Sequence, residues 1–429
     1  MEIQELYSIF RCYPTIETDS RKAGPGKIFL ALKGERFNGN EFAMKAIEAG
    51  CEYAIVDEKP AGAQHEKLIY VDDSLATLQN LAKYHRQQFS IPFIAITGSN
   101  GKTTTKELVH VVLSKKYRTY TTEGNLNNHI GIPLTLLKVR PDAEIAIVEM
   151  GANHQREIAS YCAYTFPTHG LITNCGKAHL EGFGGEEGVK KGKGELFDYL
   201  KEKDGTVFIN NDYDYLQHMS RGIAHIVGYG TESGELVGKG ETRDGMLEVF
   251  ISKGMEPCTI RSQLVGEYNL PNVLAAACIG RHFSVEDRLI QEAIEGYHPT
   301  NSRSQLLIKG SNRIIMDAYN ANPSSMRAAI ENFAAMDDKN KVVMLGAMME
   351  MGEAADEEHA ALIALLQSKN WKQVVLVGKE FKEVPPSYLH FNDVSEAAKW
   401  YSSMGLDNCS ILIKGSRSMQ MERIVSENN

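Results

Sequence analysis

Residues 96 to 108 read ITGSNGKTTTKEL, so a Gly-Lys-Thr triplet closes a short glycine-containing loop. Glycines at 98 and 101 let a backbone approach phosphate oxygens, Lys102 can neutralise β and γ charges, and the Thr103 hydroxyl can ligate Mg²⁺. The common phosphate-loop spacing G-x-x-x-x-G-K-[ST] would require glycine at 96, where this chain has Ile96. The setting compensates for the spacing: the apolar run PFIAIT precedes the loop, and periodic Leu108, Val111 and Val112 follow it. A strand, a loop and a helix in that order turn backbone N–H groups and the positive helix end toward an anion. A glycine turn beside a solvated lysine is the simpler alternative, but it does not call for that setting.

Two residues further on can complete a metal site. Glu149 ends the apolar run EIAIVEMG, which puts its carboxylate at the carboxyl end of a strand, where α/β proteins collect ligands. His179 lies in the glycine-rich NCGKAHLEGFGG after another strand. Taken singly, each has an ordinary reading as a structural acid or a solvated loop histidine. Asn125, Asn127 and Asn128 in EGNLNNHIGIPLTLL offer uncharged donors and acceptors for a polar substrate, or equally an Asn-rich turn feeding a helix.

The elements that must position these groups follow from length and periodicity. A chain of 429 residues exceeds one core, and domains of about 100 to 200 residues predict several units. Residues 1–88 carry the β-like KIFLAL and YAIVD around a helical NEFAMKAIEAG, followed by the helical LATLQNLAKYHRQQF. Residues 89–300 alternate buried-strand runs (PFIAIT, EIAIVEM, GLITN, TVFIN) with helices, which predicts a mostly parallel sheet. The β pieces HIVGYG, LEVFIS and CTIRSQLVG extend that sheet before the helical NLPNVLAAACIGRHF. After the Pro- and Gly-containing EGYHPTNSRSQ, residues 301–429 alternate RIIMDAY, KVVMLGA, QVVLVG and SILIKG with helical SMRAAIENFAAM, EEHAALIALLQSK, SEAAKWYSSM and MQMERIV. That third unit reads as Rossmann-like without the G-x-G-x-x-G fingerprint. The expected class is therefore α/β in three domains.

A net charge of −9 argues against broad binding of nucleic acid or anionic membranes. The seven scattered cysteines form no C-x-x-C pair, which fits a reducing cytosol, and no apolar stretch is long enough to span a bilayer. A cytoplasmic protein, acting as a monomer, is the expectation.

Along the chain stand TGSNGKTTT, GNLNNHIGIP, VEMGANHQREI, ITNCGKAHLEGFGG, KGE, YNLPNVLAA, NSRSQ, DAYNANPSSM, LGAMMEMGE and LIKGSRSM, in that order. This series resembles the Mur ligase family, whose shortened loop T-G-x-N-G-K-[ST] is met by Thr97, Gly98, Ser99, Asn100, Gly101, Lys102, Thr103 and the following Thr104. The resemblance implies ATP-dependent joining of D-alanyl-D-alanine to UDP-N-acetylmuramoyl-tripeptide through an acyl phosphate. It also implies that Lys102 and Thr103 hold phosphates and a first Mg²⁺, and that Glu149 and His179 ligate a pair of ions. A carbamylated lysine is implied too, best matched by Lys193, with Lys190 and Lys191 as neighbours. Asn272 matches an adenine-contacting asparagine, Arg303 an arginine reaching the phosphates, and Tyr319, Asn320 and Asn322 a motif closing over ATP. Ser20, Arg21, Lys33 and Gly34, within DSRKAGPGKIFLALKGERFNGNEF, would face uridine diphosphate.

Two positions depart from the family pattern: Ala347 stands for an aspartate, and Ala318 follows Asp317 in the usual acidic pair. Related ligases that add a single amino acid, including folylpolyglutamate synthases, are the nearest alternative, and a catalytically silent nucleotide-binding homologue is another. The intact loop, Glu149 and His179 favour an active enzyme.

Overall fold

The computed structural model describes residues 1–35, 37–58, 65–300 and 302–426, so Asn301, the first residue of the expected third unit, lies outside the described residues. Among them are three principal sheets and a two-stranded ribbon formed by Lys33–Gly34 and Phe37–Asn38. In the first sheet Ile16–Glu17, Ile28–Leu30, Tyr53–Val56 and Leu68–Tyr70 run parallel in that order.

The second sheet carries the nucleotide loop. Its parallel part runs Thr119–Thr121, Ile145–Glu149, Phe93–Thr97, His169–Ile172, Thr206–Asn210, His225–Gly230 and Leu236–Arg243. Met246–Lys253 and Cys258–Val265 then add antiparallel strands, so the β pieces after residue 220 do extend the central sheet. Phe93–Thr97 is apolar at nearly every position because helices cover both faces. Phe93 and Ala95 point to one core, with Leu78, Leu136, Ile158 and Leu196 from the helices there. Ile94 and Ile96 point to the other, with Leu108, Val112, Val273 and Ile290. Helix Ser74–Arg86 belongs to the first core, which also takes in Leu6, Phe10, Ile28 and Ile55 from the N-terminal region.

In the third sheet Asn312–Asp317, Ser410–Lys414, Lys341–Gly346, Gln373–Val377 and Leu389–Phe391 are parallel, and Gln305–Lys309 pairs antiparallel on the edge. Helices Pro323–Ala335, Ala355–Gln367 and Val394–Met404 match the predicted ones. MQMERIV instead contributes only the end of a 3₁₀ turn, Arg417–Met419, and a short helix, Arg423–Ser426, because Gln420 takes a left-handed backbone between them. NEFAMKAIEAG is likewise divided into a 3₁₀ turn, Gly39–Phe42, and helix Ala43–Glu48. The departing alanines are both fully buried, and the Ala347 carbonyl accepts from Ser416 Oγ at 2.7 Å.

Candidate active site

The loop after Phe93–Thr97 bends through Gly98 at φ 140° and Gly101 at φ 80°, backbone states that residues with a Cβ rarely adopt. Space is closed as well: a Cβ on Gly98 would lie 2.0 Å from Thr173 Oγ1, and one on Gly101 would lie 2.5 Å from Asn272 Oδ1. The adjoining strand end holds the loop from below. Thr173 Oγ1 donates to the Asn100 carbonyl at 2.6 Å, and the Asn100 N–H donates to Asn174 Oδ1 at 3.0 Å. Thr97 serves the fold rather than the cavity, its hydroxyl donating to the Met150 carbonyl at 2.7 Å. Lys102 opens helix Lys102–Leu113 and folds back, donating to the carbonyls of Gly98 (2.6 Å) and Ser99 (3.1 Å).

This loop lines a cleft of about 1000 Å³. Ser99 through Thr104, Asn127, Asn128, Glu149, His179, Asn272, Arg303, Tyr319, Asn320 and Asn322 all border it. Asn125 is exposed and does not, while Thr97, Gly98 and Lys193 lie behind the wall. Ser20, Arg21, Lys33 and Gly34 are elsewhere, on the first unit. There the Arg21 guanidinium takes Asp19 in two bonds of 2.9 and 2.8 Å, and Lys33 Nζ lies 3.1 Å from Asp57 and 2.9 Å from Glu58. A diphosphate at this place would exchange with those carboxylates.

Glu149 is buried, with Oε1 accepting from Asn127 Nδ2 at 2.7 Å. Its Oε2 is buried with no hydrogen-bond partner among the described residues, a carboxylate oxygen in want of a cation. Thr103 borders the same cleft, and a carboxylate with a hydroxyl is an oxygen donor set of the kind that fits Mg²⁺. His179 also borders the cleft, and its Nδ1 pairs with the carboxylate of Glu350 from the third unit. That bond holds the Glu350 carboxyl below its ordinary range. Among the described residues no group of three His, Cys, Asp or Glu forms a ready metal cluster, so any ion here would draw on hydroxyl and phosphate oxygens too.

Burial separates the three candidate lysines on helix Glu186–Glu202. Lys190 pairs with Glu187 and Lys191 is exposed, whereas Lys193 is 1% exposed, over the Phe183 ring, with Nζ donating to the Ala152 carbonyl at 2.8 Å. Desolvation, reinforced by the positive charge of Lys102, pushes the Lys193 amine down to about 7. Desolvation also lowers Lys102, to about 8, against the opposing pull of Glu149.

The third unit closes the other side. Asn322 caps helix Pro323–Ala335 by accepting from the Ser325 N–H, and its Nδ2 donates to Asn100 Oδ1 at 2.8 Å. The Arg303 guanidinium stacks on the Tyr319 ring at 3.6 Å. Asn272 is engaged inside the central unit, accepting from Thr105 Oγ1 at 3.0 Å and donating to Asn269 at 2.9 Å. Asn128 Oδ1 accepts from the Ile130 and Gly131 N–H groups in the turn that leads into helix Gly131–Lys138. Sequence reasoning did not single out Thr173, Asn174, Glu350 or Lys414. Lys414 is buried, 2.7 Å from Asp317, and it fixes the strand end before Tyr319. Its signals were its place at the end of an apolar run and inside the motif LIKGSRSM.

Comparison with known proteins bears on this arrangement as a whole. The family descriptions "Mur ligase family, catalytic domain", "Mur ligase middle domain" and "Mur ligase, glutamate ligase domain" match residues 13–86, 96–280 and 302–417. The UDP-N-acetylmuramoyl-tripeptide–D-alanyl-D-alanine ligase of Bacillus subtilis is 35% identical, over 96% of this chain and 92% of its own length. The chain belongs to the Mur ligase family. The Escherichia coli protein of the same name is 33% identical over the same shares of the two chains. Among solved structures, MurF from Acinetobacter baumannii superposes with a TM-score of 0.87 at 31% identity, covering 96% of this chain and 92% of that one. MurF ligase from Thermotoga maritima in complex with ADP gives 0.85 at 26%, covering 97% of each. A Mycobacterium tuberculosis folylpolyglutamate synthase shares the fold at 15% identity and a TM-score of 0.64. As a Mur ligase, this chain is an ATP-dependent peptide ligase with the three-domain fold of that family. Among the described residues no helix is long and apolar enough to cross a membrane.

Proposed function

We propose that the chain joins D-alanyl-D-alanine to UDP-N-acetylmuramoyl-tripeptide with cleavage of ATP to ADP and phosphate, a step of peptidoglycan precursor synthesis. The observation that carries the reading is the likeness over 96% of the chain to relatives of that name, in a protein whose cleft retains the loop, Glu149 and His179. We divide the chain for this purpose into residues 1–88 for the UDP-sugar, 89–300 for ATP and 301–429 for closure and ligation.

A carboxylate oxygen of the tripeptide attacks the γ-phosphorus, the bond to the β-phosphate oxygen breaks, and ADP leaves. The dipeptide amine then attacks the acyl carbon, the acyl–phosphate bond breaks, and the amine proton passes to solvent. Activation is needed because direct attack would expel an oxide from an anionic carboxylate. The protein's work is positioning and charge neutralisation. The N–H groups of Gly101 to Thr104 would cradle the phosphates, those of Ser99 and Asn100 being held by Asn174, and Lys102 would exchange its two carbonyl acceptors for phosphate oxygens. Arg303, which borders the same cleft from the third unit, would reach the γ-phosphate. Thr103, Glu149 and His179 would hold Mg²⁺, two ions in the full complex, which would neutralise the phosphates and orient the attacking carboxylate. Lys193 suits carbamylation, since its depressed amine is substantially neutral near pH 7 and so able to attack CO₂. Ser20, Arg21, Lys33 and Gly34 would face the UDP diphosphate, and Asn127 and Asn128, which border the cleft as Asn125 does not, the peptide end.

Phosphate release measured with ATP and both substrates tests the reading. Release should require the tripeptide nucleotide and the dipeptide together. Equal turnover with a single amino acid would replace it with that of a monoadding ligase.

A further inference from the structure

The segment carrying His179, residues 174–183, is held from two sides. The nucleotide loop holds it through Ser99 Oγ, which donates to the Gly176 carbonyl at 2.9 Å, and through the Asn100–Asn174 bond. The third unit holds it through the Lys177 N–H to Ser324 Oγ at 3.0 Å and Lys177 Nζ to Glu358 at 2.7 Å. The His179–Glu350 pair is the contact of that set nearest the chemistry. Both members take a left-handed backbone, φ 52° at His179 and 61° at Glu350, which residues with a Cβ seldom adopt. Beyond them Gly352, also left-handed, brings its backbone against Glu181, where a Cβ would lie 3.2 Å from Glu181 Cβ. Two uncommon backbone states in different units thus converge on one side-chain bond.

A carboxylate can only accept, so His179 Nδ1 is the donor in this bond, and in the neutral ring that binds a metal the lone pair is then on Nε2. An imidazole fixed in this way by a carboxylate is a better-oriented and more basic metal ligand. We propose that Glu350 is a positioning residue. Its carboxylate sets the His179 tautomer and ring orientation for a divalent cation in the cleft, and it does so only while the third unit rests on residues 174–183. Metal affinity is thereby coupled to the placement of the third unit. This inference rests on the reading that His179 touches the ion.

The test uses the full-length chain with ADP bound, titrated with Mn²⁺ and followed by electron paramagnetic resonance. Wild type is compared with E350A, E350Q and H179A. The Glu350 side chain is 60% exposed, so its truncation should leave the fold intact, and E350Q preserves an acceptor for Nδ1–H should E350A prove unstable. Mn²⁺ affinity should fall about tenfold or more in E350A and in H179A, while E350Q stays close to wild type. ¹⁵N spectra of labelled histidine should show one tautomer at His179 in wild type and E350Q, and a mixture in E350A. Wild-type affinity in E350A alongside weakened H179A would overturn the inference alone. E350Q as weak as E350A would also overturn it, by assigning the effect to charge instead of orientation. Unchanged H179A would remove both the inference and the metal role given to His179, whatever the phosphate-release assay shows.

Discussion

Asn322 Nδ2 donates to Asn100 Oδ1 at 2.8 Å, so a helix cap of the third unit and the tip of the nucleotide loop share one amide pair. The cap uses the other end of the same side chain, with Oδ1 accepting from the Ser325 N–H at 2.9 Å. N322D should keep the cap and lose the donor. Its melting temperature is expected to match wild type, while the KM for ATP rises about fivefold, the equivalent of about 1 kcal/mol for one hydrogen bond. An unchanged KM would show that the pair plays no part in holding the loop for nucleotide.

Lys193 gives a pH dependence of defined sign. Its folded-state value, about 7, lies below the ordinary 10.5, so below about 7 the amine is protonated in both folded and unfolded chains and the full cost of burying the cation applies. As pH rises from there toward 10.5 the folded chain has released its proton while the unfolded one retains it, and the cost diminishes. In CO₂-free buffer, K193M should melt above wild type by a margin that is largest below pH about 7 and narrows as pH rises. A margin independent of pH would mean the buried amine does not titrate in this window. With ¹³C-bicarbonate added, a carbamate signal should grow in wild type as pH rises through about 7 and be absent from K193M.

Lys102 and Glu149 should separate phosphate binding from ion binding. K102A is expected to fold normally, lose affinity for ATP and drop in turnover by about a hundredfold or more. E149Q replaces a buried carboxylate whose Oε2 has no partner among the described residues, so Mn²⁺ affinity of the ADP complex should fall while metal-free ADP binding changes little. Near-normal turnover in K102A, or wild-type Mn²⁺ affinity in E149Q, would contradict these assignments.

The sequence was legible where a local pattern carries the information. Apolar runs such as FIAIT are continuous because both faces of the central sheet are covered, and the loop that follows reads as phosphate-binding from glycines, lysine and helix together. Glu149 could be found because strand ends are where this architecture gathers ligands. Local patterns failed for short, half-covered edges: Ile16–Glu17 and Leu389–Phe391 have too few residues to show alternation, and Gln305–Lys309 has a partly exposed face. They failed too for pairs made by folding. Asn100 and Asn322 are separated by 222 positions and His179 and Glu350 by 171, so no spacing rule links them. The choice among Lys190, Lys191 and Lys193 likewise depended on burial, which three lysines within four positions of one helix cannot reveal from composition.

The proposed reaction couples ATP cleavage to adding a dipeptide onto a nucleotide-linked tripeptide. Phosphate release measured with each substrate singly and with both tests it most directly. Release is expected only when UDP-N-acetylmuramoyl-tripeptide and D-alanyl-D-alanine are present together, with one phosphate formed per amide bond. Release with either substrate alone at the same rate, or with a single amino acid in place of the dipeptide, would contradict it.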